Sequence, residues 1–439
     1  MNARVLAVLM RPAPGQLGVV ALPAIAFALV TTLVLTVGGG AQAFWSWTDP
    51  DAVLYQALAA IAVVLLLVPL ATLGGAAARL SARRRDERLS TLRLLGVSPA
   101  GVVTATVVES TLVAAVGALV GVLGHFAVAP LIALIPFRGE PLGIAAVVLP
   151  PLSILVAVVA VVLLAGLSAA IGLRQVVISP LGVRTRANAP RMHWIRAVLA
   201  VAIIVVAFGI VNVFPGTTGI VITIAVLAAL FAGVLAVLNL IGPWALSIHA
   251  KRGLRRAENP QRLLAARLVL DSPKAAWRQI SGIAMASFMA VFAGTGVALV
   301  DTMSASAAPA DVTLAADIRT GLIITLIGSF LMVAVSVGVN QASALLDQRE
   351  LHRSLHFLGV PMQTVDAART RSVMSPLLLT AIGSALCAAV LVFPLMGIAL
   401  IVAPLSLLTI AIVISAGIAL VWGGVRVTRP LLGRAFQPA

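Results

Sequence analysis

The stretch "RRRDERLSTLRLLGVSPAG", residues 83–101, sets the charged run Arg83 to Arg88 and a leucine-rich segment between two long apolar segments, 53–78 and 103–125. The chain has 439 residues, 61% of them hydrophobic and 10% charged, where a soluble domain carries roughly 25% charged residues. Its mean hydropathy of +1.13 agrees. Composition therefore assigns the apolar segments to a bilayer and the charged stretch to one of its surfaces. The single cysteine, Cys387, forms no internal disulfide and reads as a small buried hydrophobe. The net charge of +16 is spread over short loops instead of being gathered on one polar domain, which favours anionic membrane lipid as its partner and argues against nucleic acid.

A helix needs about 20 predominantly apolar residues to cross the hydrocarbon. Such segments occur at 17–40, 53–78, 103–125, 144–173, 195–213, 218–247, 279–300, 321–346, 372–393 and 397–425. Backbone groups in lipid must bond internally, so the expected fold is an all-α polytopic membrane protein of ten transmembrane helices. Of the 30 basic residues, all but Arg138 and Arg319 then fall on one side, which puts both termini in the cytoplasm. Asp49, Asp51, Glu140, Asp301, Asp311 and Asp317 fall on the other side. Ala41-Gln42-Ala43 reads like a signal-peptidase site, but the apolar run before it exceeds the about 7 to 15 residues of a signal peptide, so an uncleaved span is expected.

The opening stretch recurs. Setting Gly96 over Gly359 aligns Glu87 with Glu350, Leu92 with Leu355, Leu95 with Leu358 and Val97 with Val360. Downstream, "PLGVR" (180–184) and "PLLGR" (430–434) follow at matching topological places. The spans thus group as four, two and four: a first four-span repeat over 1–186, a connecting two-span segment with a basic loop over 187–277, and a second four-span repeat over 278–439. Both copies share one orientation, so the repeat is parallel. In each copy leucines recur at helical spacing and a glycine stands where a helix would stop, with Pro99 soon after Gly96. Two readings stay open: an amphipathic helix resting on headgroups, or a docking element whose leucines fill a groove in a cytosolic partner at about 1.5 to 3 kcal/mol per buried side chain. Duplication suits a partner present in two copies.

"RRRDERLSTLRLLGVSPAGVV", followed by "ES", resembles the signature of the FtsX-like permeases, membrane subunits of ABC transporters that include macrolide and lipoprotein exporters. "DQRELHRSLHFLGVPMQTV" resembles the same signature, and the layout is similar to ten-span permeases of antimicrobial-peptide resistance. The resemblance implies a permease of the bacterial cytoplasmic membrane, with 83–97 and 346–360 as coupling helices on a separate cytosolic ABC ATPase present in two copies. Arg84, Glu87, Leu92, Leu95, Gly96, Val97, Glu350, Leu355, Leu358, Gly359 and Val360 would carry that docking. ATP would bind the partner subunit and no cofactor this chain, and the substrate would be an amphipathic peptide, lipid or drug. The large extracellular domain of the ten-span relatives has no counterpart in the short connections 41–52 and 301–320.

No Gly-x-x-x-x-Gly-Lys-Ser/Thr loop occurs, so nucleotide hydrolysis is expected on another polypeptide and the chain is not expected to be an enzyme. Glu109 lies within the third span, where a carboxylate marks either a hydrated group bonded near the interface or a relay of ATPase motion; its repeat partner is Ser372. His352 and His356 stand at i and i+4 without a further ligand in the motif and read as a solvated helix face. Asn212, Asn239, Asn340 and Gln341 read as bonds between helices, and Gly117-x-x-x-Gly121 as close helix packing. Two other function classes remain: a non-transporting transmembrane signalling scaffold driven by an ATPase, and an ion-coupled secondary transporter.

Overall fold

A computed structural model of the chain describes residues 17–49, 51–83, 99–178, 220–304, 309–347, 354–355, 357–393 and 404–427. They are almost entirely helical. In chain order they form α1 (Leu17–Gln42), α2 (Ala52–Arg83), α3 (Pro99–Ala133), the two-residue strands β1 (Pro136–Phe137) and β2 (Glu140–Pro141), the single turn α4 (Ile144–Val147) and α5 (Pro151–Ile178). After these come α6 (Ile220–Arg255), α7 (Pro260–Asp271), α8 (Pro273–Ser304), α9 (Pro309–Asp347), α10 (Met362–Leu391) and α11 (Pro404–Val427). Six of these helices open on proline, whose fixed φ suits the first turn and whose missing N–H is not needed there.

Among the described residues, six helical segments are long and apolar enough to cross a membrane: Ala21–Ser46, Val107–Ala133, Pro151–Ala170, Thr313–Leu345, Met362–Leu391 and Leu408–Arg426. The fifth expected span, 195–213, lies outside the described residues. Two expected boundaries are corrected. Residues 144–147 form a separate turn behind Gly143 at φ +80°, and the fourth long helix starts only at Pro151. The segment expected as 372–393 begins ten residues earlier, because Pro361 caps a helix that opens with the polar run Met362 to Arg371. The basic loop after α6 also holds a helix, α7, which buries Ala265, Ala266 and Val269 on one face.

The described residues fall into two compact units. The first holds α1 to α5, and the last turns of α9 from Gly338 count with it. Within it α1 packs along α3, α3 against α5, α5 against α2, and α2 back against α1, a closed circuit of four long helices. The α1–α3 seam is close because glycine lines it. A Cβ at Gly117 would come within 2.5 Å of the Ala24 carbonyl oxygen, and one at Gly121 within 2.6 Å of that of Ala28. Thr32 Oγ1 donates to the Gly121 carbonyl at 3.0 Å, so the Gly117-x-x-x-Gly121 reading holds.

The second unit holds α6, α7, α8, α9 up to Val337, α10 and α11. Here α8 packs most extensively on α10, while α11 lies against α8 and α10, and α6 and α7 close on α10. One core joins Leu246, Trp277, Ile283, Phe330, Leu377 and Val421. Trp277 Nε1 donates to Asn239 Oδ1 at 2.6 Å, which makes Asn239 the interhelical bond expected of it.

Candidate functional site

The second copy of the recurring segment is described at its end. The Leu358 N–H donates to the Ser354 carbonyl at 3.1 Å, and the Val360 N–H reaches the Leu355 carbonyl at 3.0 Å. Gly359 between them has φ +76°. A bond from the second residue past the cap to the third carbonyl before it, across a left-handed glycine, is the Schellman ending of a helix. The helix stop expected at Gly359 is therefore present, and its local cause is the missing Cβ.

The apolar side chains of this tip are turned outward. Leu358 is 78% and Phe357 76% exposed, Leu355 and Val360 are half-buried, and Gly359 is exposed. Two large apolar side chains at one turn carry a solvation cost that a partner surface would remove. Arg84, Glu87, Leu92, Leu95, Gly96, Val97 and Glu350 lie outside the described residues, as do His352 and His356.

Beyond the tip the chain passes directly into a long helix. Pro361 caps α10 in an extended conformation, and the 30 residues of α10 run about 45 Å along the helix, with Pro376 inside it. Near its start Arg369 is buried, although arginine is almost never buried without partners. Its guanidinium meets Asp366 Oδ1 at 3.2 Å on the same helix and donates to the Val425 carbonyl at 3.2 Å. Val425 belongs to the last turn of α11, where unpaired carbonyls and the helix dipole favour a cation. A second link joins α6 to α10, His249 Nε2 with Ser375 Oγ at 2.7 Å. In the sequence Arg369 reads only as loop charge on the cytoplasmic side. The signal that could have found it is its spacing of three from Asp366.

Glu109 lies on α3, half-buried, at the start of the apolar segment Val107–Ala133. Its neighbour Ser110 is buried. Among the described residues no group of three or more His, Cys, Asp or Glu side chains is placed to hold a metal ion.

Long apolar helices, packed through glycine seams, define a multi-pass helical membrane protein. Residues 60–181, from within α2 through α5 to the first residues of "PLGVR", match the family model described as FtsX-like permease C-terminal, and this places the chain's resemblance in the FtsX-like ABC permease family. Permeases of this kind are transporter components that work with a cytosolic ABC ATPase. No curated protein matches the chain.

Proposed function

We propose that the chain is the permease subunit of an ABC transporter, with ten spans in a four-two-four order, both termini cytoplasmic, and 83–97 and 346–360 docked on a cytosolic ATPase. The observation that carries this reading is the tip at Gly359, where a Schellman turn presents Phe357 and Leu358 to solvent. Recurrence of the segment at Gly96 and Gly359 favours docking over an interfacial helix. Both the tip and α10 share one short connection through Pro361, so a push on the tip is carried along α10.

Arg369 extends that path. It fastens the start of α10 to the end of α11, so displacement of the first shifts the second. The ATP cycle on the partner then biases the helices between two packings, and the difference in their affinity for the ATPase sets the extent of the shift. With short outer connections, the substrate is met within the membrane or at its outer surface, which suits an amphipathic peptide, lipid or drug. The similarity of the two units' packing supports the repeat: in each, the helix that opens the four-helix set lies most extensively on the third, α1 on α3 and α8 on α10.

The test is purification of the chain together with the products of its neighbouring genes, followed by reconstitution. The expected result is a stable complex whose ATP hydrolysis rises with one class of amphipathic compound. Absence of any co-purifying ATPase overturns the reading.

A further inference from the structure

At the end of the first unit where α1 turns into α2, four aromatic rings cluster and two of them, Trp47 and Tyr55, face one cation. Phe44 and Trp47 leave α1, Tyr55 stands on α2, and Phe137 comes from β1. Trp47 and Tyr55 meet edge to face with centroids 5.1 Å apart, and Phe44 backs both and touches Phe137 at 5.0 Å. Into the corner reaches Arg138. Its Cζ lies 4.2 Å from the Trp47 ring centroid and 4.6 Å from that of Tyr55. The Asp49 carboxylate closes the fork, Nη1 to Oδ1 at 3.0 Å and Nη2 to Oδ2 at 2.8 Å.

We propose that this box is a receptor site for an arginine side chain of an external amphipathic peptide, and that Arg138 is the occupant the peptide displaces. The geometry selects the ligand class. A planar fork paired with a carboxylate and stacked on aromatic faces is what a guanidinium supplies and an ammonium does not. The Arg138 and Asp49 side chains are 31% and 42% exposed, while the Nη2 end of the fork and Tyr55 are buried.

Arg138 is carried on a short hairpin turn, so its guanidinium is tethered beside the box. It sits at φ +56° in the two-residue turn between β1 and β2, where a hairpin of this length needs positive φ at both residues. Gly139 beside it, at φ +80°, has nothing within 4 Å of where a Cβ would lie. An internal competitor on a short tether acts at an effective concentration on the order of millimolar. A single free arginine therefore competes weakly, while a peptide concentrated at the membrane surface competes well.

The biological use rests on the export reading, but the binding test needs no ATPase, so the two fail separately. The full chain in nanodiscs is dialysed to equilibrium against Nα-acetyl-arginine amide and, as control, its uncharged citrulline counterpart. Wild type is expected to bind the arginine compound in the millimolar range. Arg138→Gln is expected to bind it at least about tenfold more tightly, because no internal guanidinium competes. Arg138→Lys, which keeps the charge but loses the planar fork, guards against a folding defect in the first variant and should lie between. Trp47→Ala should weaken binding in every background, and the citrulline compound should bind none. Binding to Arg138→Gln with none to wild type makes the box a filled structural socket and overturns the proposal. Equal affinity for the arginine and citrulline compounds overturns it as well.

Discussion

The Val360 N–H reaches back to the Leu355 carbonyl over 3.0 Å while Gly359 turns between them at φ +76°. The turn ends one helix and aims the next, so its conformation sets the angle at which the tip meets a partner. Gly359→Ala puts a Cβ into a left-handed position at a cost of about 1 kcal/mol. With docking at this tip, the ATPase should bind about fivefold more weakly while the melting temperature of the isolated permease changes little. Surface-immobilised permease titrated with ATPase reads this directly.

Leu358→Asp tests the apolar contact itself. Full burial of a leucine is worth about 1.5 to 3 kcal/mol, so the complex should weaken by roughly ten- to 150-fold. Since Leu358 is exposed in the chain alone, the variant should fold and insert normally. Leu355→Asp is the less clean probe, because Leu355 is half-buried already. Undiminished co-purification of the ATPase with the Leu358 variant contradicts docking at this turn.

Arg369→Met separates binding from transmission. The substitution keeps the apolar stem but removes the cation that Asp366 and the Val425 carbonyl share, at about 1 to 3 kcal/mol. The variant should still bind the ATPase, melt at a lower temperature, and lose the rise in ATP hydrolysis that substrate brings. Full stimulation by substrate in this variant removes Arg369 from the path.

Several features are legible from residues alone for a physical reason. Apolar length gives helices because lipid leaves the backbone no other partner, and Gly359 stops a helix because few other residues tolerate its φ. Gly117 and Gly121 show the close seam by their spacing. The helix α7 is hidden because its arginines, Arg262 and Arg267, draw it into a basic loop, although Asn259 before Pro260 is a start signal. The aromatic box stays hidden because Phe44, Tyr55 and Phe137 are brought together only by the turns between helices. One trace of it is present. Arg138 is one of two basic residues on the wrong side of the charge asymmetry, and a cation kept where the bias opposes it has a partner to explain.

The α1–α3 seam and an open glycine give opposite expectations for the same kind of change. Gly121→Leu drives side-chain atoms into the Ala28 carbonyl and Thr31, so α1 and α3 must separate, and folded yield should fall sharply with a loss of about 2 kcal/mol or more. Gly383 of α10 has nothing within 4 Å of a Cβ, so Gly383→Ala should be neutral or stabilise by up to about 1 kcal/mol. Thermal unfolding in one detergent compares the two. A loss at Gly383 as large as at Gly121 contradicts the described packing.

Acid should open the aromatic box in a defined direction. The hydrogen bond from Arg138 holds the Asp49 carboxyl below its ordinary value, and the same contact raises the Arg138 guanidinium. A carboxyl depressed in the folded chain adds stability above its unfolded pKa, about 3.9, and that contribution is lost as pH falls through the lower folded value. The fork should therefore be intact throughout neutral and mildly acidic conditions and loosen only below about pH 4. Quenching of Trp47 emission by an aqueous quencher, taken as the difference between wild type and Trp47→Phe, reports the opening. Asp49→Asn has no carboxylate to protonate, so its quenching should be higher at neutral pH and flat across the acid range. Opening of wild type already near pH 6 would show that something other than Asp49 holds Arg138 in place.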